Sequence, residues 1–270
     1  WLLEDGDGWT VVDTGIKDQP TKDAWEQLFA GTMAGRPIKR VIVTHLHPDH
    51  VGLAGWLVRR FDVTLWMSRT DFLLCRNLAA DTGQEAPQEG VRFYRAAGYP
   101  EDMIEQYKTR FGMFGHGVYR LPNSYRRIIE GEVIEIGTRK WRVIVGTGHA
   151  PEHVCLYCEA DNIFISGDQL LPRISSNVSV HPTEPEANPL QDWLNSCNKL
   201  KAALPDEVLV LPSHNDPFRK AHLRLQELID GHESGMDKVQ ELCREPKRAV
   251  DVFPALFRSR ITAGNYGMAT

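Results

Sequence analysis

The pattern of apolar and polar positions predicts secondary structure along most of the chain. Two apolar runs flank the turn-forming residues DGDG at 5–8, and this arrangement predicts a β-hairpin. Apolar residues at helical spacing follow over 20–34, and the run IKRVIVTH at 38–45 is typical of a buried strand. The first part of the chain therefore predicts a hairpin, a helix and a third strand.

The same pattern continues through the rest of the sequence. Apolar positions at 51–61 have helical spacing, DVTLWMS at 62–68 predicts a short strand, and 69–128 shows helical patterns interrupted by Gly and Pro. Strand-like runs return at 132–148, 154–168 and 207–214. Because strands and helices are mixed throughout, we expect a layered α/β protein.

Composition narrows the class of protein. A chain of 270 residues can bury a sizeable core, and we expect one domain. The net charge of -5 and the absence of any Lys/Arg run disfavour nucleic acid as a partner. No apolar stretch approaches the roughly 18 residues of a membrane span, and no signal peptide opens the chain. We therefore expect a cytoplasmic protein with no membrane partner.

The cysteines and the two ends of the chain carry less information. The five cysteines are odd in number and scattered, which favours reduced thiols over disulfides. Cys155 and Cys158 form a C-x-x-C pattern, but they lie in an apolar run and are expected to pack within a strand. Trp1 lies within an apparent strand, and residues 216–270 read as a helical element that is cut short, so we expect both ends to be trimmed.

Candidate chemistry is concentrated in VTHLHPDHVG at 43–52, directly after the predicted buried strand. Imidazole and carboxylate groups are zinc ligands, and a metal site needs three or four of them converging from rigid elements. The pattern His-x-His-x-Asp-His can supply this from one loop, which Pro48 stiffens. The alternative is an ordinary polar loop with solvated histidines.

Three further residues repeat the arrangement of a ligand-type side chain after an apolar strand. VIVGTGH ends at His149, NIFISGD at Asp168 and VLVLPSH at His214. Taken singly, His149 or His214 is more often an ordinary surface histidine. Ligands at several strand ends would instead meet along one sheet edge, where functional sites of α/β folds tend to lie.

The motifs THLHPDHVG, GTGHAPEH, ISGDQ and LPSH, in this order, resemble the metal-binding motifs of the metallo-β-lactamase-fold hydrolases, in particular the glyoxalase II-like and lactonase-like branch. The resemblance covers nearly the whole chain. It implies an α/β fold of the four-layer αβ/βα sandwich type, with residues 69–128 as a helical insertion that caps a metal cleft. The single domain would then span 1–270.

The resemblance also implies roles for individual residues. His45, His47 and His149 would hold one divalent ion, Asp49, His50 and His214 a second, and Asp168 would bridge the two. Asp49 and Asp168 would take part in catalysis. Asp13, Thr44 and His153 would lie just behind the ligands. Zinc suits the His and carboxylate set, with iron or manganese as alternatives.

Candidates for substrate contact come from the segment after Asp168 and from the insertion. Arg173, Asn177 and His181 lie in a Pro-rich segment that should run beside the cleft, although a purely structural loop is an equal alternative. The insertion mixes aromatic residues with arginines, which could hold an acyl chain and an anionic leaving group. Those aromatics could equally pack the insertion itself.

The implied function is hydrolysis of a small acyl compound by a hydroxide that bridges two metal ions. A thioester of the hydroxyacylglutathione or acyl-CoA type is the first substrate class, and a lactone is the alternative. A phosphodiesterase is disfavoured by the acidic charge. A β-lactamase main role is disfavoured by Asp168, and a mononuclear-iron sulfur dioxygenase by the complete second ligand set. A non-catalytic protein on the same fold would lack a ligand, and none is missing.

Overall fold

Two five-stranded sheets form the centre of the computed structural model, which describes residues 1–33 and 35–257. The first sheet has the order β1-β2-β3-β4-β5, with β1 antiparallel to β2 and the other pairs parallel. Its strands are β1 (Leu2–Asp5), β2 (Gly8–Val12), β3 (Ile38–Ile42), β4 (Leu65–Met67) and β5 (Arg126–Arg127). The predicted hairpin at the start of the chain is confirmed.

The second sheet has the order β10-β9-β8-β7-β6. All of its pairs are antiparallel except β9 with β10, which are parallel. Its strands are β6 (Val133–Ile136), β7 (Arg139–Gly146), β8 (His153–Cys158), β9 (Ile163–Gly167) and β10 (Leu209–Pro212). The three strand-like runs predicted in the second half of the chain therefore form one sheet.

Helices cover the outer face of each sheet. Those in the first half are α1 (Gln19–Ala30), α2 (Pro48–Val51), α3 (Ala54–Phe61), α4 (Arg69–Ala80), α5 (Gln88–Ala96) and α6 (Glu101–Arg110), followed by a 3-10 turn at Met113–His116. Those in the second half are α7 (Pro189–Ala203), α8 (Ala221–Leu242) and α9 (Ala249–Leu256). Among the described residues, no helix is long and apolar enough to cross a bilayer.

The packing of β3 shows how the layers are arranged. Val41 and Val43 pack in a cluster with side chains of α1, α3 and α4, while Ile42 faces the other way and packs with side chains of the second sheet. A strand buried on both faces explains the uninterrupted apolar run in the sequence. A third cluster joins the second sheet to α7 and α8. The predicted four-layer αβ/βα sandwich is confirmed.

The predicted insertion at 69–128 is largely helical, from α4 to the 3-10 turn, and ends at β5. Tyr99, Met103 and Ile104 pack with Val250 and Phe253 of α9 in a separate cluster. Several of its aromatic residues thus form the interior of the insertion and its contact with α9. The C-terminal helical element predicted at 216–270 begins as α8 and α9, and its residues 258–270 lie outside the described part of the chain.

Candidate metal centre

The seven predicted ligand residues lie where strands end at one edge of the two sheets. His45 and His47 follow β3, while Asp49 and His50 lie in the short helix α2. The other three follow strands of the second sheet: His149 after β7, Asp168 after β9 and His214 after β10. All seven belong to three overlapping groups of side chains whose ligand atoms lie within 4.8 Å of one another in each group.

The first group contains three imidazole nitrogens that face one another. His45 Nε2 lies 2.9 Å from His47 Nδ1, His47 Nδ1 lies 3.0 Å from His149 Nε2, and the third side of the triangle measures 3.3 Å. Ligands at 2.0–2.1 Å from a tetrahedral zinc ion are separated by about 3.3 Å. The three nitrogens are therefore spaced as ligands of one ion.

The second group lies beside the first and is more open to solvent. His214 Nε2 is 3.2 Å from an oxygen of Asp49, and His50 Nε2 is 3.4 Å from the same oxygen. The side chains of His214 and Asp49 are 41% and 46% exposed, whereas that of His50 is 2% exposed. This side of the site is therefore open to solvent.

Asp168 lies between the two groups. One of its oxygens is 3.6 Å from His149 Nε2 and 3.4 Å from His50 Nε2, and the other is 3.4 Å from His214 Nε2. A single carboxylate thus reaches a histidine of each group. This position fits a residue that bridges two ions.

Two buried atoms of the site test whether the residues fit a metal ion. Nε2 of His50 and Oδ1 of Asp168 have no hydrogen-bond partner among the described residues. A buried polar atom without a partner costs about 1–3 kcal/mol, and both atoms point to the space between the two groups. Coordination of a divalent ion would satisfy both, so the residues present fit a metal site.

The contacts of Asp13 and Thr44 orient two of the histidines. Asp13 Oδ2 lies 2.9 Å from His50 Nδ1, and Asp13 also accepts hydrogen bonds of 2.8 Å from the Thr44 amide and hydroxyl. The Thr44 hydroxyl lies 3.0 Å from His45 Nδ1. Because these contacts hold Nδ1 of each ring, Nε2 is directed to the site. Histidines that bind metal commonly have such a hydrogen bond at their other ring nitrogen, which fixes the orientation of the ring.

His153 lies next to the candidate ligands and is fully buried. Its Nε2 accepts a 3.0 Å hydrogen bond from the backbone amide of Asp168, and its ring stacks on His45 with centroids 4.5 Å apart. Gly167 makes this packing fit, because a Cβ there would lie 2.4 Å from His153 Cε1. The same glycine has a φ of +53°, which side-chain-bearing residues rarely adopt.

Asp71 is a contributor that the sequence interpretation missed. It is fully buried near the start of α4, and its two oxygens accept hydrogen bonds from the amides of Leu46 at 3.0 Å and Glu152 at 2.8 Å. Leu46 lies between two ligand histidines, and Glu152 belongs to the loop of His149. The sequence SRTD at 68–71 has the form of a capping box, which signals a helix start but not this contact with two ligand loops.

Burial and mutual contacts shift the pKa values within the site. Burial, with the neighbouring histidines, lowers the pKa of His47 to about 3, so its ring is neutral and can ligate metal. Burial opposes ionisation of Asp168, but contacts with His149 and His50 outweigh it and hold the pKa of Asp168 below its ordinary value. The nearby ring of His50, with its Nε2 3.4 Å from the carboxylate, lowers the pKa of Asp49 to about 2. Carboxylates and neutral imidazoles are the forms that bind divalent ions.

The three predicted substrate contacts differ in their surroundings. Arg173 forms an exposed ion pair with Asp216, 3.0 Å long. The backbone oxygen of Asn177 lies 2.7 Å from His149 Nδ1, so this segment does run beside the site. His181 is exposed. Their role in substrate binding stays a prediction.

Cys155 and Cys158 are buried in β8, which confirms strand packing, and all five cysteines are free thiols.

Comparison with known proteins places this arrangement among metal-dependent enzymes. The family described as the metallo-beta-lactamase superfamily matches residues 1–214. The probable metallo-hydrolase YqjP from Bacillus subtilis (strain 168) is 26% identical over 272 residues, which cover 96% of this chain and 82% of that protein. A hydroxyacylglutathione hydrolase from Maricaulis maris (strain MCS10) is 30% identical over 115 residues, 43% of this chain and 42% of that enzyme.

A solved structure supports the same assignment. The crystal structure of a beta-lactamase domain protein from Burkholderia ambifaria superposes on this chain with a TM-score of 0.84 and 38% sequence identity. The match covers 95% of this chain and 76% of that one.

Proposed function

Because the chain belongs to the metallo-β-lactamase superfamily, we propose that it is a dinuclear metal-dependent hydrolase of an acyl compound, with a thioester as its substrate. The observation that carries the proposal is the position of Asp168 between two complete groups of ligand atoms, each with spacing suited to one ion. A site for two ions is the arrangement that activates water for attack on a carbonyl group.

The residues that would hold the two ions follow from the distances. His45, His47 and His149 would hold one, and Asp49, His50 and His214 the other, with Asp168 shared. When bound, two divalent ions lower the pKa of a water molecule towards neutrality and polarise a substrate carbonyl. Zinc suits this set of nitrogen and oxygen ligands.

The protein's own groups would position the reactants and move the proton. Asp13 and Thr44 hold the rings of His50 and His45 in place, so the site is ordered before the substrate arrives. The Asp49 carboxylate faces the cleft and is ionised at neutral pH, since its pKa is lowered. Its Oδ1 can receive a proton from the attacking water and return it to the leaving group.

A thioester is favoured over other acyl substrates by the similarity to a hydroxyacylglutathione hydrolase, which covers 43% of this chain. A thiolate is also a good leaving group, so the reaction needs little more than an activated water and a polarised carbonyl. A lactone would use the same groups, and it is the alternative that the experiment must separate.

The test is kcat/KM of zinc-loaded protein on a matched panel: a glutathione thioester, an acyl-CoA, an acyl-homoserine lactone and an activated phosphodiester. We expect a thioester to lead by more than tenfold, which corresponds to about 1.4 kcal/mol of transition-state preference. Asp168→Ala is the control and should lose most of the hydrolysis while it stays folded. A lead by the lactone would replace the thioesterase assignment, and unchanged turnover by Asp168→Ala would contradict the mechanism.

A further inference from the structure

A shallow, solvent-open cavity of about 420 Å³ lies next to the predicted metal-binding loop and is lined by Lys17, Arg59, Tyr119 and Arg120. Three of these four side chains are cationic. This cavity is separate from the groups of metal ligands and takes no part in the contacts described above.

Backbone contacts connect the cavity wall to the ligand helix α2. The amide of Tyr119 donates to the oxygen of Gly52 over 2.6 Å, directly after α2, and the amide of Lys17 donates to Gly117 over 3.2 Å. Gly117 packs against Pro48, the first residue of α2, so closely that a Cβ there would lie 3.1 Å away. The wall of the cavity is therefore packed against α2, the short helix that carries Asp49 and His50.

The cations of the cavity are not neutralised by the protein. Within residues 1–33 and 35–257, no ion pair joins Lys17, Arg59 or Arg120 to a carboxylate, although most ion pairs of the chain use an Arg or Lys. Lys22 lies close by, with its ammonium 5.4 Å from the centre of the Tyr119 ring. Four cations therefore gather in a protein whose net charge is -5.

Of the three cations that line the cavity, one has a structural role and two can take a ligand. Arg59 donates to backbone oxygens of Gly55, Arg120 and Leu121, and so holds the cavity wall against α3. The side chains of Lys17 and Arg120 make no hydrogen bond within the described residues. They are the donors available to an anion.

A second cavity provides a contrast within the same molecule. It has a volume of about 460 Å³ and also lies near the metal-binding loops, but two of the groups that line it, Lys199 and Glu130, pair with each other. Its lining also contains Arg127 and Glu152, so its charges are balanced. The accumulation of positive charge is thus a property of the cavity at Lys17 and Arg120.

We propose that this cavity binds phosphate groups of a nucleotide-bearing leaving group, as in an acyl-CoA, and so selects the thioester that the metal site hydrolyses. Guanidinium and ammonium donors form strong charge-assisted hydrogen bonds with phosphate oxygens. The inference rests on the proposed thioesterase function and names its substrate class. Lys17 and Arg120 are the specificity-determining residues.

The charge of the cavity favours phosphate over the carboxylates of a glutathionyl group. A glutathionyl group carries an ammonium that offsets one of its carboxylates, and four cations without acidic partners would repel that ammonium. Phosphate groups of a nucleotide carry negative charge alone, and their binding needs no acidic partner from the protein.

The experiment is calorimetric titration of zinc-loaded protein with three probes: adenosine 3′,5′-bisphosphate, glutathione and inorganic phosphate. The test variant is Lys17→Ala with Arg120→Ala, which leaves Arg59 and the cavity wall intact. The control is Arg92→Ala with Lys140→Ala, which removes the same charge from side chains that are 69% and 75% exposed. Asp168→Ala reports any binding of the probes to the metal site.

We expect the bisphosphate to bind with a Kd at least tenfold lower than that of the other probes. The Kd should rise at least tenfold in the Lys17 and Arg120 variant, and stay unchanged in the control and in Asp168→Ala. With an acyl-CoA substrate the same variant should raise KM with little change in kcat. Its hydrolysis of p-nitrophenyl acetate, which has no phosphate, should equal that of the wild-type protein.

Each other result has a defined meaning. The proposal is overturned if the bisphosphate binds the wild-type protein and the double variant with equal Kd, or if it binds neither protein. Preferential binding of glutathione or of inorganic phosphate overturns the assignment to a nucleotide. If no thioester is hydrolysed but bisphosphate binding depends on Lys17 and Arg120, the cavity assignment stands and the proposed thioesterase function fails.

Discussion

The carboxylate of Asp13 lies 2.9 Å from Nδ1 of His50, a residue 37 positions further along the chain. Burial alone would lower the pKa of His50, but the charge of Asp13 and its hydrogen bond outweigh burial and raise it. The contact also leaves Nε2 of His50 directed to the metal site. Asp13 holds this position from a left-handed backbone conformation, with a φ of 62°.

Asp13→Asn should weaken metal binding without unfolding the protein. The amide keeps the shape of the side chain but loses the charge that holds Nδ1–H of His50, and it has one acceptor oxygen where the carboxylate has two for the bonds from Thr44 and His50. Changes of this kind typically cost 10–100-fold in metal affinity, and we expect a loss of about that size in competition with a zinc-binding dye. Asp62→Asn is the control, since Asp62 is also left-handed, with a φ of 51°, and is exposed. Equal affinities of the two variants would contradict a role of Asp13 in orienting His50.

The metal-free protein should lose stability as the pH falls from about 6.5 to about 3. Burial lowers the pKa of His153 to about 3, as it does for His47, so the folded state binds fewer protons than the unfolded state in this range. Stability from these groups is therefore complete above pH 6.5 and is lost in acid. Urea unfolding of the chelated protein at a series of pH values measures this loss.

The contribution of His153 itself can be isolated with His153→Phe, which keeps a ring at this buried position. Its free energy of unfolding should fall less steeply between pH 6.5 and pH 3 than that of the wild-type protein. At pH 7 it should already be lower by about 1–3 kcal/mol, because the Asp168 amide loses its acceptor. Parallel pH profiles of the two proteins would show that His153 does not titrate with folding.

Asp71→Asn should destabilise the protein by about 1–3 kcal/mol. The Asn side chain has only one oxygen to accept the hydrogen bonds that the backbone N–H groups of Leu46 and Glu152 donate. Burial raises the pKa of Asp71 to about 6, so between about pH 4 and pH 6 the folded wild type binds more protons than the unfolded chain. The stability advantage of the wild type over Asp71→Asn should therefore decrease as the pH rises through that window. A constant difference, measured by urea unfolding of both proteins, would argue against titration of this carboxyl group.

Gly167→Ala should damage the metal site more than backbone strain alone can explain. The added Cβ would lie 2.4 Å from His153 Cε1 and 3.1 Å from the Thr44 hydroxyl, two residues that support the ligands. Gly131→Ala is the matched control, because Gly131 also has a positive φ, of +76°, but has no atom within 4 Å of the added Cβ. We expect Gly131→Ala to lower stability by about 1 kcal/mol with normal zinc binding, and Gly167→Ala to lose zinc affinity as well. Normal zinc binding by both variants would mean that the site tolerates displacement of His153.

Much of the fold was predictable because its determinants are local. The apolar runs of β2, β3, β7, β8 and β9 predict strands because they are short, and the structure buries them. A Gly-containing turn joins β1 to β2. The end of the first helix differs from the prediction: the helix predicted at 20–34 ends at Ala30 as α1, where the chain turns at Gly31. The helical segment at 69–128 was predicted, whereas its packing against α9 depends on contacts far apart in sequence.

The sequence alone determined where the candidate metal ligands occur, because each of the seven comes after a recognisable strand and the ends of these strands share one edge of the sandwich. The tertiary structure decided what surrounds them. Asp71 meets Leu46 and Glu152 across 25 and 81 residues, and Lys17, Arg59 and Arg120 converge on one cavity. Such contacts depend on how loops and helices pack against the sheets, and no periodicity within a single segment encodes that packing.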